Sequence, residues 1–129
     1  MNETKNVVAD QSFRFALRIV NLYKYLTATR KEYVLSKQIL RSGTSIGANI
    51  AEAQHARSYN DFSYKMEIAL KETSETAYWL RLLCEAGYIT KPQFRSMAAD
   101  CSSLENLLCR IVKTSKEKSN PDKPTDSYF

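Results

Sequence analysis

The chain has 129 residues, 43% of them hydrophobic and 26% charged, with 19 basic against 14 acidic side chains and a net charge of +5. That is one domain by length, with enough apolar side chains to bury a core. Three glycines and three prolines are too few for collagen, a loop-rich β sandwich or a disulfide knot, and the chain is too short for a multidomain enzyme.

The helical period dominates the pattern. In the first segment Phe15, Ala16, Ile19, Leu22, Tyr23 and Leu26 recur at steps of three and four, which predicts a helix from Asn6 to Ala28. A break follows at Thr29–Lys31. The second segment, Glu32 to Ala56, carries Leu35, Ile39, Ile46, Ile50 and Ala53 on one stripe. Gly43 and Gly47 each cost about 1 kcal/mol against Ala inside a helix, so a break near Ser42–Ser45 is one reading. A continuous helix is preferred, because the apolar phase passes through unchanged. Small side chains there let another helix approach closely.

Ser58-Tyr-Asn-Asp61 is a helix-start signal, with Asn60 favoured as the cap. The third helix is expected over Asp61–Ala86, ending at Gly87 in a left-handed conformation. Its core stripe reads Phe62, Met66, Ala69, Thr73, Ala77, Leu80 and Leu83. A second apolar stripe, Tyr64, Ile68, Trp79 and Leu82, exceeds what one bundle core accepts. These four, with Tyr25, Tyr33 and Tyr59, suit an oligomer interface, where Tyr and Trp are enriched; a thick monomer core is the competing reading. Thr90-Lys-Pro-Gln93 opens the fourth helix with a capping box and a first-turn proline. Phe94, Met97, Cys101, Leu104, Leu108 and Ile111 follow. Four amphipathic helices with short connections specify an all-α, up-down-up-down four-helix bundle over residues 1–115. Residues 116–129 are polar and rich in helix breakers, and are expected to be a disordered tail.

No stretch approaches the roughly 20 apolar residues that cross a bilayer, and no signal peptide is visible. Cys84, Cys101 and Cys109 are odd in number and lack C-x-x-C spacing, which fits reduced thiols and a cytoplasmic location. The charge is uneven: residues 1–60 hold nine basic and four acidic side chains, residues 61–90 three and five, and residues 91–129 seven and five. Such asymmetry fits attraction to nucleic acid, and equally fits complementary packing between helices or subunits.

Phe15-Ala-Leu-Arg-Ile-Val-Asn-Leu-Tyr23, Gln38-Ile-Leu-Arg-Ser-Gly-Thr-Ser-Ile-Gly-Ala-Asn-Ile-Ala-Glu-Ala53, Asp61-Phe-Ser-Tyr-Lys65, Ala69-Leu-Lys-Glu72 and Glu75-Thr-Ala-Tyr-Trp-Leu80 together resemble the bacterial four-helix-bundle proteins encoded by intervening sequences of 23S rRNA genes. The resemblance spans about residues 12–113. It implies a bundle that assembles as a homo-oligomeric ring, a homopentamer. The accessory variability determinants of diversity-generating retroelements are similar in fold; they act with a reverse transcriptase and contact nucleic acid through basic surfaces.

Chemistry beyond charge is sparse. Glu52-Ala-Gln-His55 has the Glu-x-x-His spacing of di-iron bundles, but those need two such motifs and the chain has one His. No metal, cofactor or catalytic residue is assigned: no Ser or Cys stands beside a His as a nucleophile needs, and Gly43-Thr-Ser-Ile-Gly47 lacks the strand and Lys-Ser/Thr ending of a phosphate loop. Asn49, Glu52, Glu72 and Glu75 are expected to form a polar network that sets helix register or a subunit contact. Arg14, Arg18, Arg30, Lys31, Lys37 and Arg41 are the candidate nucleic-acid contacts, since i, i+4 pairs can span phosphates and a ring adds avidity. A solvated face that maintains solubility is the bland reading. The sequence thus predicts either a non-enzymatic protein holding RNA or DNA by backbone charge, or a protein–protein adaptor for a reverse-transcriptase-like partner or for itself.

Overall fold

A computed structural model describes residues 3–119, which form four helices: α1 (Glu3–Ala28), α2 (Leu35–Ala53), α3 (Tyr59–Glu85) and α4 (Lys91–Ser119). There is no strand among the described residues. Each helix packs against its sequence neighbours and α4 closes back on α1, so α1 and α3 lie across the diagonal. The α1–α2 and α3–α4 connections share one end of the bundle; the α2–α3 connection lies at the other.

The core follows the expected stripes. Phe15, Ile19 and Leu26 of α1 meet Ile39, Ile46 and Ile50 of α2, Met66, Leu80 and Leu83 of α3, and Leu104 and Leu108 of α4. Full burial of such a side chain contributes about 1.5–3 kcal/mol. Helix α2 is continuous. Gly43 lies against Ile19, where a Cβ would fall 2.7 Å from Ile19 Cγ1, so the glycine is kept for close helix approach.

Several boundaries and faces differ from the sequence expectation. Helix α2 begins at Leu35, not Glu32, because Glu32 turns back and caps it. Its carboxylate accepts the backbone N–H groups of Val34 (3.1 Å), Leu35 (2.9 Å) and Ser36 (2.7 Å), meeting donors that a helix start leaves unpaired. The cap of α3 is Ser58 rather than Asn60: Ser58 Oγ accepts the Asp61 N–H at 3.0 Å. Ala77 is exposed, and Thr76 takes its place in the core. The Thr76 hydroxyl is satisfied there, donating to the Glu72 carbonyl at 2.7 Å and lying 2.9 Å from Ser42 Oγ. Helix α4 runs to Ser119, so residues 116–119 are helical; the rest of the expected tail lies outside the described residues.

Other local signals hold. Gly87 has φ +86°, and Tyr88 N–H donates to the Leu83 carbonyl at 2.9 Å, a left-handed helix stop that a side chain would disfavour. Thr90 and Gln93 cap reciprocally, at 2.8 and 3.2 Å.

Candidate nucleic-acid interface

The end shared by the α1–α2 and α3–α4 connections holds the chain's positive surplus. Residues 24–38 and 81–95 contain seven basic side chains (Lys24, Arg30, Lys31, Lys37, Arg81, Lys91, Arg95) and two acidic ones, Glu32 and Glu85. The rest of the chain holds 12 of each sign out of the 19 basic and 14 acidic residues. The seven-to-two excess at this end equals the +5 net charge of the sequence. All seven cations are exposed. Arg30 ties the two connections together: its Nη2 donates to the Gly87 carbonyl at 2.9 Å, and its guanidinium lies 5.7 Å from the centre of the Tyr88 ring. The other six have no side-chain partner among the described residues.

Glu32 does not neutralise this surface. Only 8% of it is exposed, and its charge faces the α2 N-terminus. Burial opposes its ionisation, but the backbone N–H groups of Leu35, Ser36 and Val34 hold its carboxyl below the usual range, so it stays ionised and inward-facing. The sequence reading missed this role. The available signal was a Glu three residues ahead of Leu35, within the non-helical stretch between α1 and α2.

The six candidate contacts divide. Arg30, Lys31 and Lys37 sit at the basic end. Arg14, Arg18 and Arg41 lie along the helices and are bound to acids. Arg14 pairs with Asp10 on its own helix at 3.3 Å, both well exposed. Arg18 bridges α1 to α4, 2.6 Å from Asp100 and 2.8 Å from Ser96 Oγ. Arg41 joins α2 to α3 through Glu75, with Glu72 at 3.8 Å. Such part-exposed pairs contribute about 0.2–1 kcal/mol each.

The α2–α3 seam collects most of the expected polar network. Glu52 accepts from Lys65 at 2.7 Å. Glu75 accepts from Arg41 and, at 3.0 Å, from Trp79 Nε1; the Trp79 and Arg41 bonds hold its carboxyl low. Burial pushes Glu72 up, against the pull of Arg41, and its Oε1 is buried without a hydrogen-bond partner. Asn49 stays outside the network, its Nδ2 donating to the Ser45 carbonyl of its own helix at 2.9 Å. Glu52 is exposed. Helix α2 ends at Ala53, so His55 lies in the following turn, off the helix that a Glu-x-x-His ligand pair requires.

Of the expected interface stripe, Tyr64 is 60% exposed, Ile68 and Leu82 are half-buried, and Trp79 packs against the core with its ring edge-on to Tyr78 at 5.1 Å. A second apolar face was not foreseen: Val7, Phe13 and Leu17 on α1 are at least half exposed. Phe13 helps to line an apolar groove of about 330 Å³ between α1 and α2, together with Ala9, Ala16, Gly47 and Ala51. The cysteines are all free. Burial pushes the Cys101 thiol up to about 12, so it is inert. No described helix is long and apolar enough to cross a membrane.

The model of the family described as 23S rRNA-intervening sequence protein matches residues 4–110. No curated protein matches the chain. Among solved structures, a protein of unknown function from the S23 ribosomal protein family of Bacteroides thetaiotaomicron is 56% identical, with a TM-score of 0.84 over 85% of this chain and 98% of that one. The chain, with its four helices and its Arg41-Ser-Gly-Thr-Ser-Ile-Gly-Ala-Asn49 segment, belongs to the 23S rRNA-intervening sequence protein family.

Proposed function

We propose that the protein is a non-enzymatic, cytoplasmic, oligomeric helical bundle that holds RNA or DNA by backbone charge. The observation that carries this reading is the excess of seven basic over two acidic side chains at one end of the bundle, with Glu32 turned away from it. Unpartnered cations on one surface release counterions when they meet phosphates, and need no base contacts to bind.

Self-association strengthens the effect. The two apolar surfaces lie on α1 and α3, which do not neighbour each other in the bundle, so they are separate patches of the protomer. Burying one against the other is head-to-tail association, which forms a ring if the rotation closes. A cyclic ring gives every protomer the same orientation about its axis, so the basic ends form repeated, equivalent contacts and bind with avidity. Five subunits is the number that the family resemblance favours, and light scattering should then give five times the 14.8 kDa chain mass.

The test is a mobility shift of labelled RNA and DNA at about 50 and about 200 mM salt. Four phosphate contacts lower affinity by about 10²-fold over that range. Negligible binding at both salts refutes the charge reading. The exposed Phe13–Leu17 face then favours an adaptor whose partner is a protein, a reverse-transcriptase-like enzyme or another copy of the chain.

A further inference from the structure

We infer that the α1–α2 corner, residues 30–37, is a contact for single-stranded polynucleotide, with Arg30, Lys31 and Lys37 on phosphates and the Tyr33 ring stacked on a base. This rests on the nucleic-acid reading above and adds to it the strandedness of the ligand and the residue that reads it. Three independent features of the corner converge. The first is polarity. Arg30, Lys31 and Lys37 are all exposed, while the one acid between them, Glu32, is folded inward onto the N–H groups of Val34, Leu35 and Ser36. The charges that the corner presents to solvent are thus all positive.

The second is apolar exposure among those cations. Tyr33 is 53% exposed and Val34 70%. A tyrosine ring interleaved with phosphate-binding cations is the arrangement that holds single strands, because every unpaired base offers a face to stack on. In an intact duplex the base faces are stacked on one another, and a ring on a rigid corner cannot reach them.

The third is backbone conformation. Lys31 has φ +57°, the only positive φ at a non-glycine residue among those described. That conformation turns the chain so that the Glu32 N–H reaches the Leu26 carbonyl at 2.9 Å. Glycine would adopt it without strain. Lysine occupies it with no side-chain partner among the described residues, so its ammonium contributes nothing visible inside the chain and projects from the corner into solvent. The backbone of Lys31 serves the stop of α1, while its side chain, with no role inside the chain, is available to a partner outside it.

The experiment uses the full chain with fluorescein-labelled 20-nucleotide oligouridylate and oligothymidylate and a blunt mixed-sequence duplex of matched length (about two turns), at about 50 mM salt. Single strands should bind several-fold more tightly than the duplex, and the better of the two identifies the sugar. Tyr33→Ala should weaken single-strand binding at least about fivefold and leave duplex binding and the thermal midpoint unchanged. Lys31→Gly should lower single-strand affinity and reduce the salt slope by about one, while raising the midpoint. Equal binding of strand and duplex with no effect of Tyr33→Ala overturns the inference but leaves charge-driven binding standing. Displacement by polyglutamate as effective as by unlabelled strand also overturns it, since bulk charge then suffices. No binding of any probe removes both this inference and the reading on which it rests.

Discussion

Gly43 and Gly47 sit one turn apart inside α2 and should respond oppositely to the same methyl group. Helix propensity alone favours alanine at both by about 1 kcal/mol. At Gly47 the added Cβ would lie 3.4 Å from the carbonyl oxygen and the hydroxyl of Ser12, which is ordinary contact, so Gly47→Ala should realise most of that gain. At Gly43 the Cβ would fall 2.7, 2.8 and 2.9 Å from Cγ1, Cδ1 and Cγ2 of Ile19. Ile19 is fully buried and β-branched, so its χ1 is held to one strongly preferred rotamer and moving Cγ1 and Cγ2 aside is costly. Overpacking of this kind costs about 1–3 kcal/mol, which leaves Gly43→Ala destabilised by about 1 kcal/mol after the propensity gain. The two variants should differ by about 2 kcal/mol, or roughly 8 °C in melting temperature for a domain of this size. Circular-dichroism melts and urea titrations measure both. Movement of both variants in the same direction by similar amounts would refute the claim that α1–α2 approach, rather than helix propensity, fixes residue 43.

Lys31→Gly should stabilise the fold by about 1 kcal/mol in denaturant titration, because glycine bears no penalty at φ +57°; unchanged stability would mean that the corner is not strained. Glu32→Gln should lose the charged cap and cost about 1 kcal/mol at neutral pH. Because the native carboxyl lies below its ordinary 4.5, the unfolded chain takes up the proton first. The wild-type advantage over Glu32→Gln should therefore be full above about pH 4.5 and fade as pH falls through the lowered native value; a pH-independent difference would contradict the cap. Lys37→Ala should weaken oligonucleotide binding, whereas Arg41→Ala, whose guanidinium is engaged by Glu75 and Glu72, should leave it unchanged and cost under about 1 kcal/mol; titration against a labelled strand and a thermal melt separate the two. A maleimide should label exposed Cys109 rapidly and buried Cys101 only on unfolding, as mass spectrometry of the modified chain would show.

What the sequence determined by itself is local. The phase of Phe15, Ile19 and Leu26, the Thr90–Gln93 box and the glycine stop at Gly87 each depend on residues within a turn or two, and each is a property of one helix. Four such helices joined by short connections already specify the bundle. Tertiary structure decided which charges are spent. Arg18 and Arg41 read as free cations along the chain, but they meet Asp100 and Glu75 across helix seams; that depends on helix rotation and register, which sequence spacing does not encode. Thr76 replaces Ala77 in the core for a related reason: the Ser42 hydroxyl of a neighbouring helix faces it. Glu32 reads as the start of α2. Folding makes it a cap pointing inward, because the opening N–H groups of that helix are unpaired and a carboxylate three residues upstream can reach them. The basic end exists only because two connections far apart in the chain, joined by Arg30 to Gly87, are brought to the same end by the antiparallel alternation of four helices.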